Sequence, residues 1–299
     1  MKVIIDFDGT LTAEETQARP LAARSLDTLA SEILCVPRLR LEEEYEHTRA
    51  RLLQAPHLYG WKVRGLLTSY CDEGAFILNT STLQALLSEN PAYAEAVAAA
   101  FPRAEYDPVA DCINYLFHRH TAELPPAFRP GAGALLEALS SRDGCQPLIL
   151  TNSLGDKVLR LLETLHLAAR VSVLGDTRQY DMDPTWAHHF RHPLLGDIQV
   201  WPVSAERSVD LRRPVYHHAL LQAAADGSNL AVVADTFSLP GALPLLMGIP
   251  FFLLRTSYTP DWCAQVVSDH PLGRVLGDLA ELPAALESLR AIDILPVLR

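Results

Sequence analysis

The chain has 299 residues, 49% of them hydrophobic and 20% charged, with a formal net charge of −11 at pH 7. This is the composition of an ordinary folded protein with a sizeable core, and the length suggests about two domains. The acidic balance argues against a nucleic-acid partner, whose backbone would call for clustered Lys and Arg, although a few local cations could still hold one phosphate. The five cysteines (Cys35, Cys71, Cys112, Cys145, Cys263) are scattered without paired metal spacing. They are expected to be buried, reduced thiols of a cytoplasmic protein. Met1-Lys2 leads straight into a short apolar run that ends in acids, so no signal peptide is expected. The longest apolar candidate, Leu239 to Leu254, is interrupted by Pro240, Pro244 and Pro250, and no membrane span is expected.

In chain order, Val3–Ile5 is the first short apolar run, followed by Asp6, Asp8 and Gly9. This predicts a strand that runs into a tight turn. From about 14 to 128 the pattern is helical, with little strand signal. Leu21, Leu26, Leu29 and Ile33 form one amphipathic stripe, and Leu41 to Gln54 is a charged helical stretch. Asn90-Pro91 combines an N-cap with Pro at the first helical position, ahead of the Ala-rich run to Phe101. Thr121 to Pro130, with Pro125, Pro126 and Pro130, reads as a linker. Beyond it come Leu148–Leu150, Val171–Leu174, Leu230–Val233 and Phe251–Leu254, alternating with helical patterns at Ala132–Leu139, Val158–Leu167 and Tyr216–Ala225. Strands alternating with helices imply crossover units and a parallel sheet covered on both faces. Gly175 to Leu211 is irregular. Its Asp181, Asp183, His188, His189 and His192 match no standard zinc spacing, and a surface insertion is expected there. The expected architecture is α/β: a Rossmann-like parallel-sheet core from 1–13 and 129–299, an all-helical domain over 14–128, and an irregular insertion over 176–210.

Four residues share one context. Asp6 and Asp8 follow Val3-Ile4-Ile5, Thr151 follows Leu148-Ile149-Leu150, and Asp235 follows the run Leu230 to Ala234. Each sits at the carboxyl end of a predicted parallel strand, where open α/β sheets bind ligands. A carboxylate beside a bound cation can attack phosphorus, and a second acid two residues on can protonate the leaving oxygen and later activate water. Thr151 can donate its hydroxyl to a phosphate oxygen. Asn152 to Asp156 opens a helix whose N-terminus favours an anion. Oxygen donors without His or Cys suit magnesium.

Asp6-Phe7-Asp8-Gly9-Thr10 resembles the first motif of the haloacid dehalogenase superfamily, and Leu150-Thr151-Asn152-Ser153 resembles the second. Arg213-Pro214, followed by Tyr216 and Ala219-Leu220, resembles the third, and Val232-Val233-Ala234-Asp235-Thr236 the fourth. The resemblance covers about 1–13 and 129–255, with 14–128 in the position of the family's cap domain. It implies that Asp6 is the nucleophile and Asp8 the general acid/base. It also implies that Asp6, the Asp8 carbonyl and Asp235 hold Mg2+, and that Thr151, Asn152 and a basic residue grip the phosphate of a small substrate. Two positions depart from the pattern. Arg213 stands where the family usually has Lys, with Lys157 as the alternative cation, and Leu239 stands where a second acid often follows Asp235. In 14–128, Lys62 is read as solvated, and His118 and His120 as helix-surface residues. The implied activity is a phosphatase. A dehalogenase, a phosphomutase, and a catalytically weak binding or regulatory protein that keeps the fold are the rivals.

Overall fold

A computed structural model describes residues 1–124 and 126–290. The chain divides into two compact units, Met1–Ala13 together with the chain from Phe128 onward, and Glu14–Ala127. Strand β1 (Lys2–Ile5) opens the first unit.

The second unit contains α1 (Glu14–Thr28), α2 (Arg38–Gln54), β2 (Gly60–Val63), β3 (Leu66–Tyr70), α3 (Ala75–Glu89), α4 (Pro91–Ala100) and α5 (Pro108–Glu123). Leu21, Leu26 and Leu29 of the expected stripe are buried, and Ile33 packs partly against the same core. Asn90 caps α4 as expected, its Oδ1 accepting the N–H groups of Ala92 and Tyr93. The unit is helical apart from the antiparallel hairpin β2–β3. Arg64 and Gly65 both take positive φ, 50° and 76°, as a two-residue hairpin turn of the tight mirror-image type requires. The flanking runs are too short to show a period, so the sequence carries little strand signal there. The linker is shorter than expected, because α5 continues through Glu123; Pro125 lies outside the described residues. His120 is corrected from a surface residue to a buried one: it is 3% exposed, with Nε2 3.0 Å from Thr28 Oγ1. Lys62 is exposed, as expected.

The first unit resumes with α6 (Ala132–Ser140), β4 (Gln146–Leu150), α7 (Gly155–Thr164) and β5 (Ser172–Leu174). Two antiparallel hairpins follow, β6 (Phe190–His192) with β7 (Gly196–Ile198), and β8 (Val200–Pro202) with β9 (Ser208–Asp210). Its remaining described elements are α8 (Pro214–Ala223), β10 (Leu230–Ala234), α9 (Ala242–Leu246), β11 (Phe251–Leu254), α10 (Asp261–Asp269), β12 (Gly273–Leu276) and α11 (Leu282–Arg290). Six strands form one parallel sheet in the order β12-β11-β10-β1-β4-β5. Alternate residues feed opposite cores: Val3, Ile5, Ile149 and Val233 on one face, Ile4, Leu148, Leu150 and Val232 on the other. A strand buried on both faces reads as a continuous apolar run, which is why these strands were visible in the sequence.

The 176–210 segment is less irregular than expected, and it does not lie wholly on the surface. Phe190 and Trp201, on its two hairpins, are buried in the second core. Of the cysteines, Cys35 is exposed, against expectation, and the other four are buried. Burial pushes the Cys112 thiol up to about 12. Among the described residues no helix is long and apolar enough to cross a membrane.

Candidate active site

The strand order reverses beside β1. The chain moves outward through β4 and β5, then crosses to β10 on the other side of β1. Ile5 pairs in register with Val233 of β10 and with Ile149 of β4. The carboxyl ends of three adjacent strands therefore line one edge, and Asp6, Thr151 and Asp235 leave the sheet side by side there. This is the switch point at which such sheets bind ligands.

The turn after β1 is held from several directions. Gly9 has φ +82°, and a Cβ built there would collide with the Asp235 carboxylate. Only glycine meets both demands. Thr10 Oγ1 donates to Asp235 Oδ1 at 3.1 Å and accepts the Asp235 N–H at 3.0 Å. Arg129 Nη2 donates to the Gly9 carbonyl at 2.6 Å and to the Thr12 carbonyl at 3.3 Å. Thr12 and Phe128 form an antiparallel bridge.

On the β4 side, Thr151 is 1% exposed and its Oγ1 accepts the Ser153 N–H at 3.1 Å. The hydroxyl proton of Thr151 remains for another acceptor. Ser153 Oγ donates to Asp8 Oδ2 at 2.6 Å. Lys157 Nζ lies 3.4 Å from Ser153 Oγ and 3.9 Å from Asp8 Oδ1. Asn152 turns elsewhere: its Oδ1 accepts the Gln179 N–H at 2.7 Å, which ties the strand end to the following segment.

Arg213 precedes α8 and is 1% exposed. Tyr216, in the first turn of α8, is fully buried. Burial pushes its phenol well above its usual value, the Asp6 carboxylate adds to the rise, and Arg213 opposes it. Asp6, Arg213 and Tyr216 therefore share one neighbourhood. Of the two candidate cations, Lys157 lies beside Asp8, while Arg213 acts with Asp6 on the Tyr216 phenol. Leu239 is 8% exposed, and its carbonyl accepts the Thr236 hydroxyl; its side chain brings no oxygen to the site. The contacts of Thr10, Arg129 and Ser153 with this edge are not legible in the sequence. Thr10 and Ser153 stand inside the first and second motifs, but nothing in their spacing names a partner.

Among the described residues no group of three or more His, Cys, Asp or Glu is placed to hold a metal ion, which includes the His and Asp residues of the 176–210 segment. The donors implied for magnesium are of another kind: two carboxylates, Asp6 and Asp235, and the Asp8 carbonyl. All are hard oxygens, and magnesium keeps several of its waters, so a sparse oxygen set fits it. The missing side chain at Gly9 keeps the space beside the Asp235 carboxylate open.

No family model matches the chain, and no curated protein matches it in sequence. Solved structures do resemble it. A haloacid dehalogenase-like family hydrolase from Streptococcus pneumoniae superposes with TM-score 0.49 at 14% identity, over 95% of this chain and 97% of that one. CbbY from Rhodobacter sphaeroides, solved with xylulose 1,5-bisphosphate, gives TM-score 0.43 at 16% identity, over 94% and 95%. A 2-haloacid dehalogenase from Pseudomonas syringae gives TM-score 0.43 at 15% identity, over 96% and 98%.

Proposed function

We propose that this chain is a magnesium-dependent phosphomonoester hydrolase of the haloacid dehalogenase type, acting on a small phosphorylated metabolite through an aspartyl-phosphate on Asp6. One observation carries the reading: Asp6 and Asp8 follow the central strand, with Thr151 and Asp235 at the ends of both its neighbours. Asp6 supplies the nucleophilic carboxylate. Arg213 can hold two phosphate oxygens with its planar fork, and Thr151 adds a hydroxyl donor. Asp8 gives a proton to the leaving oxygen and later takes one from the attacking water. Magnesium, when bound by Asp6, the Asp8 carbonyl and Asp235, would screen the charge of the transferred phosphoryl group. The helical unit joins the chain just after the Asp6–Thr10 turn, and we assign substrate choice and closure to it as a cap.

The test is turnover of an aryl phosphate with and without Mg2+, comparing the wild type with Asp6→Asn. We expect magnesium-dependent release of phosphate that falls by at least about 10³-fold in the variant. Equal turnover in the two proteins, or none that depends on magnesium, would refute the proposal. Leu239 favours a second reading, because a buried leucine stands where a further metal-supporting acid is common. On that reading the chain binds a phosphorylated ligand without turning it over, and phosphate would protect wild-type and Asp6→Asn proteins against heat while neither hydrolyses the ester.

A further inference from the structure

Ser153 has no part in the mechanism above, yet its side chain is placed with unusual economy. It is 1% exposed, and its only proton can be followed through the contacts around it. Lys157, in the first turn of α7, reaches back to Ser153 Oγ at 3.4 Å. An ammonium group can only donate, so Ser153 Oγ must accept from it. The serine proton is then left for Asp8 Oδ2, 2.6 Å away. Asp8 Oδ2 is occupied as an acceptor. The other oxygen, Oδ1, is buried and accepts no hydrogen bond from the described residues, with the Lys157 ammonium 3.9 Å from it.

We infer that Ser153, oriented by Lys157, is a positioning residue for Asp8 that ties down Oδ2 and reserves Oδ1 for proton transfer. The inference rests on the phosphatase reading. A carboxyl group free to turn about its Cβ–Cγ bond presents either oxygen in many directions. A short hydrogen bond to one oxygen removes that freedom whether or not the other oxygen carries a proton, and orienting a reacting group is worth orders of magnitude in rate. In the first half-reaction an Asp6 oxygen bonds to phosphorus, the bond from phosphorus to the leaving oxygen breaks, and the proton on Asp8 Oδ1 passes to that oxygen to give an alcohol. In the second, a water oxygen bonds to phosphorus, the bond from Asp6 to phosphorus breaks, and Oδ1 takes the water's proton. Asp6 returns as a carboxylate, inorganic phosphate leaves, and Asp8 is protonated again. In neither half does Ser153 give up its proton.

The experiment compares kcat/KM, in the presence of Mg2+, for phenyl phosphate and 4-nitrophenyl phosphate. The two esters are similar in shape, but nitrophenolate leaves with little need of a proton and phenolate does not. Ser153→Ala should lower kcat/KM for phenyl phosphate by about 10²-fold and for 4-nitrophenyl phosphate by less than about tenfold. Lys157→Met should show the same selectivity with a smaller loss, and it carries the test alone if Ser153→Ala does not fold. Ser153→Thr, which keeps the hydroxyl, should recover most of the loss on phenyl phosphate. A merely structural role predicts equal losses on the two esters. That result, or no loss in either variant, overturns the inference and leaves the phosphatase reading standing. A wild type that hydrolyses neither ester overturns both.

Discussion

Glu14 in the helical unit and Asp235 in the sheet unit are both buried carboxylates, 7% and 3% exposed, and the two regions use them differently. Glu14 Oε1 accepts the N–H groups of Ala75 and Phe76 at 2.6 and 3.3 Å, at the start of α3, where Gly74 offers no side-chain cap. Nearby, Asn79 repeats the theme, donating to the Ala18 carbonyl and accepting the Tyr45 hydroxyl. These groups satisfy helix ends and bridge helices. Asp235 instead exchanges bonds with Thr10, on the neighbouring strand's turn, beside a glycine that leaves its carboxylate room. Burial of an acid does not by itself mark a site. What separates the two cases is that the Glu14 carboxylate accepts backbone N–H groups that need a cap, while the Asp235 carboxylate accepts a side-chain hydroxyl from the turn after the neighbouring strand.

The sharpest way to break this contrast is Gly9→Ala. The new side chain would have to take a left-handed backbone conformation and would meet the Asp235 carboxylate. Turnover of an aryl phosphate should fall by at least about 10²-fold, since displacement of a reacting group by an ångström costs that much. The melting temperature should fall as well, because the left-handed conformation costs an L-residue about 1–2 kcal/mol. Full activity in Gly9→Ala would mean that the Asp235 contact is not part of the site.

Glu14→Ala sharpens the other side. Loss of the carboxylate leaves the Ala75 and Phe76 N–H groups without it, and caps of this kind are worth about 0.5–2 kcal/mol. The midpoint of urea unfolding should fall accordingly, and Glu14→Gln, which keeps an acceptor oxygen, should lose less. A variant that unfolds like wild type but no longer turns over substrate would move Glu14 from scaffold to site.

The same distinction explains how much of the molecule is legible in its sequence. β1, β4, β10 and β11 are buried on both faces, so they appear as unbroken apolar runs, and the residues just beyond them are exposed to inspection. Asp6, Asp8, Thr151 and Asp235 were legible for that reason. β12 carries Arg274 and is only half buried, and β2, β3 and β6 to β9 are three to five residues long, so none shows a period. The contacts around the candidate site join residues far apart in sequence. Ser153 meets Asp8 across 145 positions, Thr10 meets Asp235 across 225, and Arg129 meets Gly9 across 120. No local pattern encodes which hydroxyl will find which carboxylate. The parallel register does, and it exists only once the strands have paired.

The smallest expected effect concerns histidines that belong to packing. His217 on α8 lies against Trp186, His188 and Phe190, with ring centroids 5.2, 4.8 and 5.8 Å away. Burial chiefly, then the neighbouring His188 and His218, holds the His217 imidazole below its ordinary value of 6.5. The folded protein therefore binds a proton there less readily than the unfolded chain. The stability this contributes is fully present above about pH 6.5 and is lost as pH falls through the lowered value. His270, beside Trp201, is shifted the same way by burial and by His192 and adds to the slope. Melting followed by circular dichroism should show a fall of a few degrees from about pH 7.5 to about pH 5.5. His217→Phe keeps the ring and removes the proton site, so its melting temperature should fall less over the same range. Parallel slopes in wild type and variant would show that the cluster is not where those protons bind. A shallower slope in the variant would place these histidines with Glu14 rather than with Asp235, as polar residues that hold the fold.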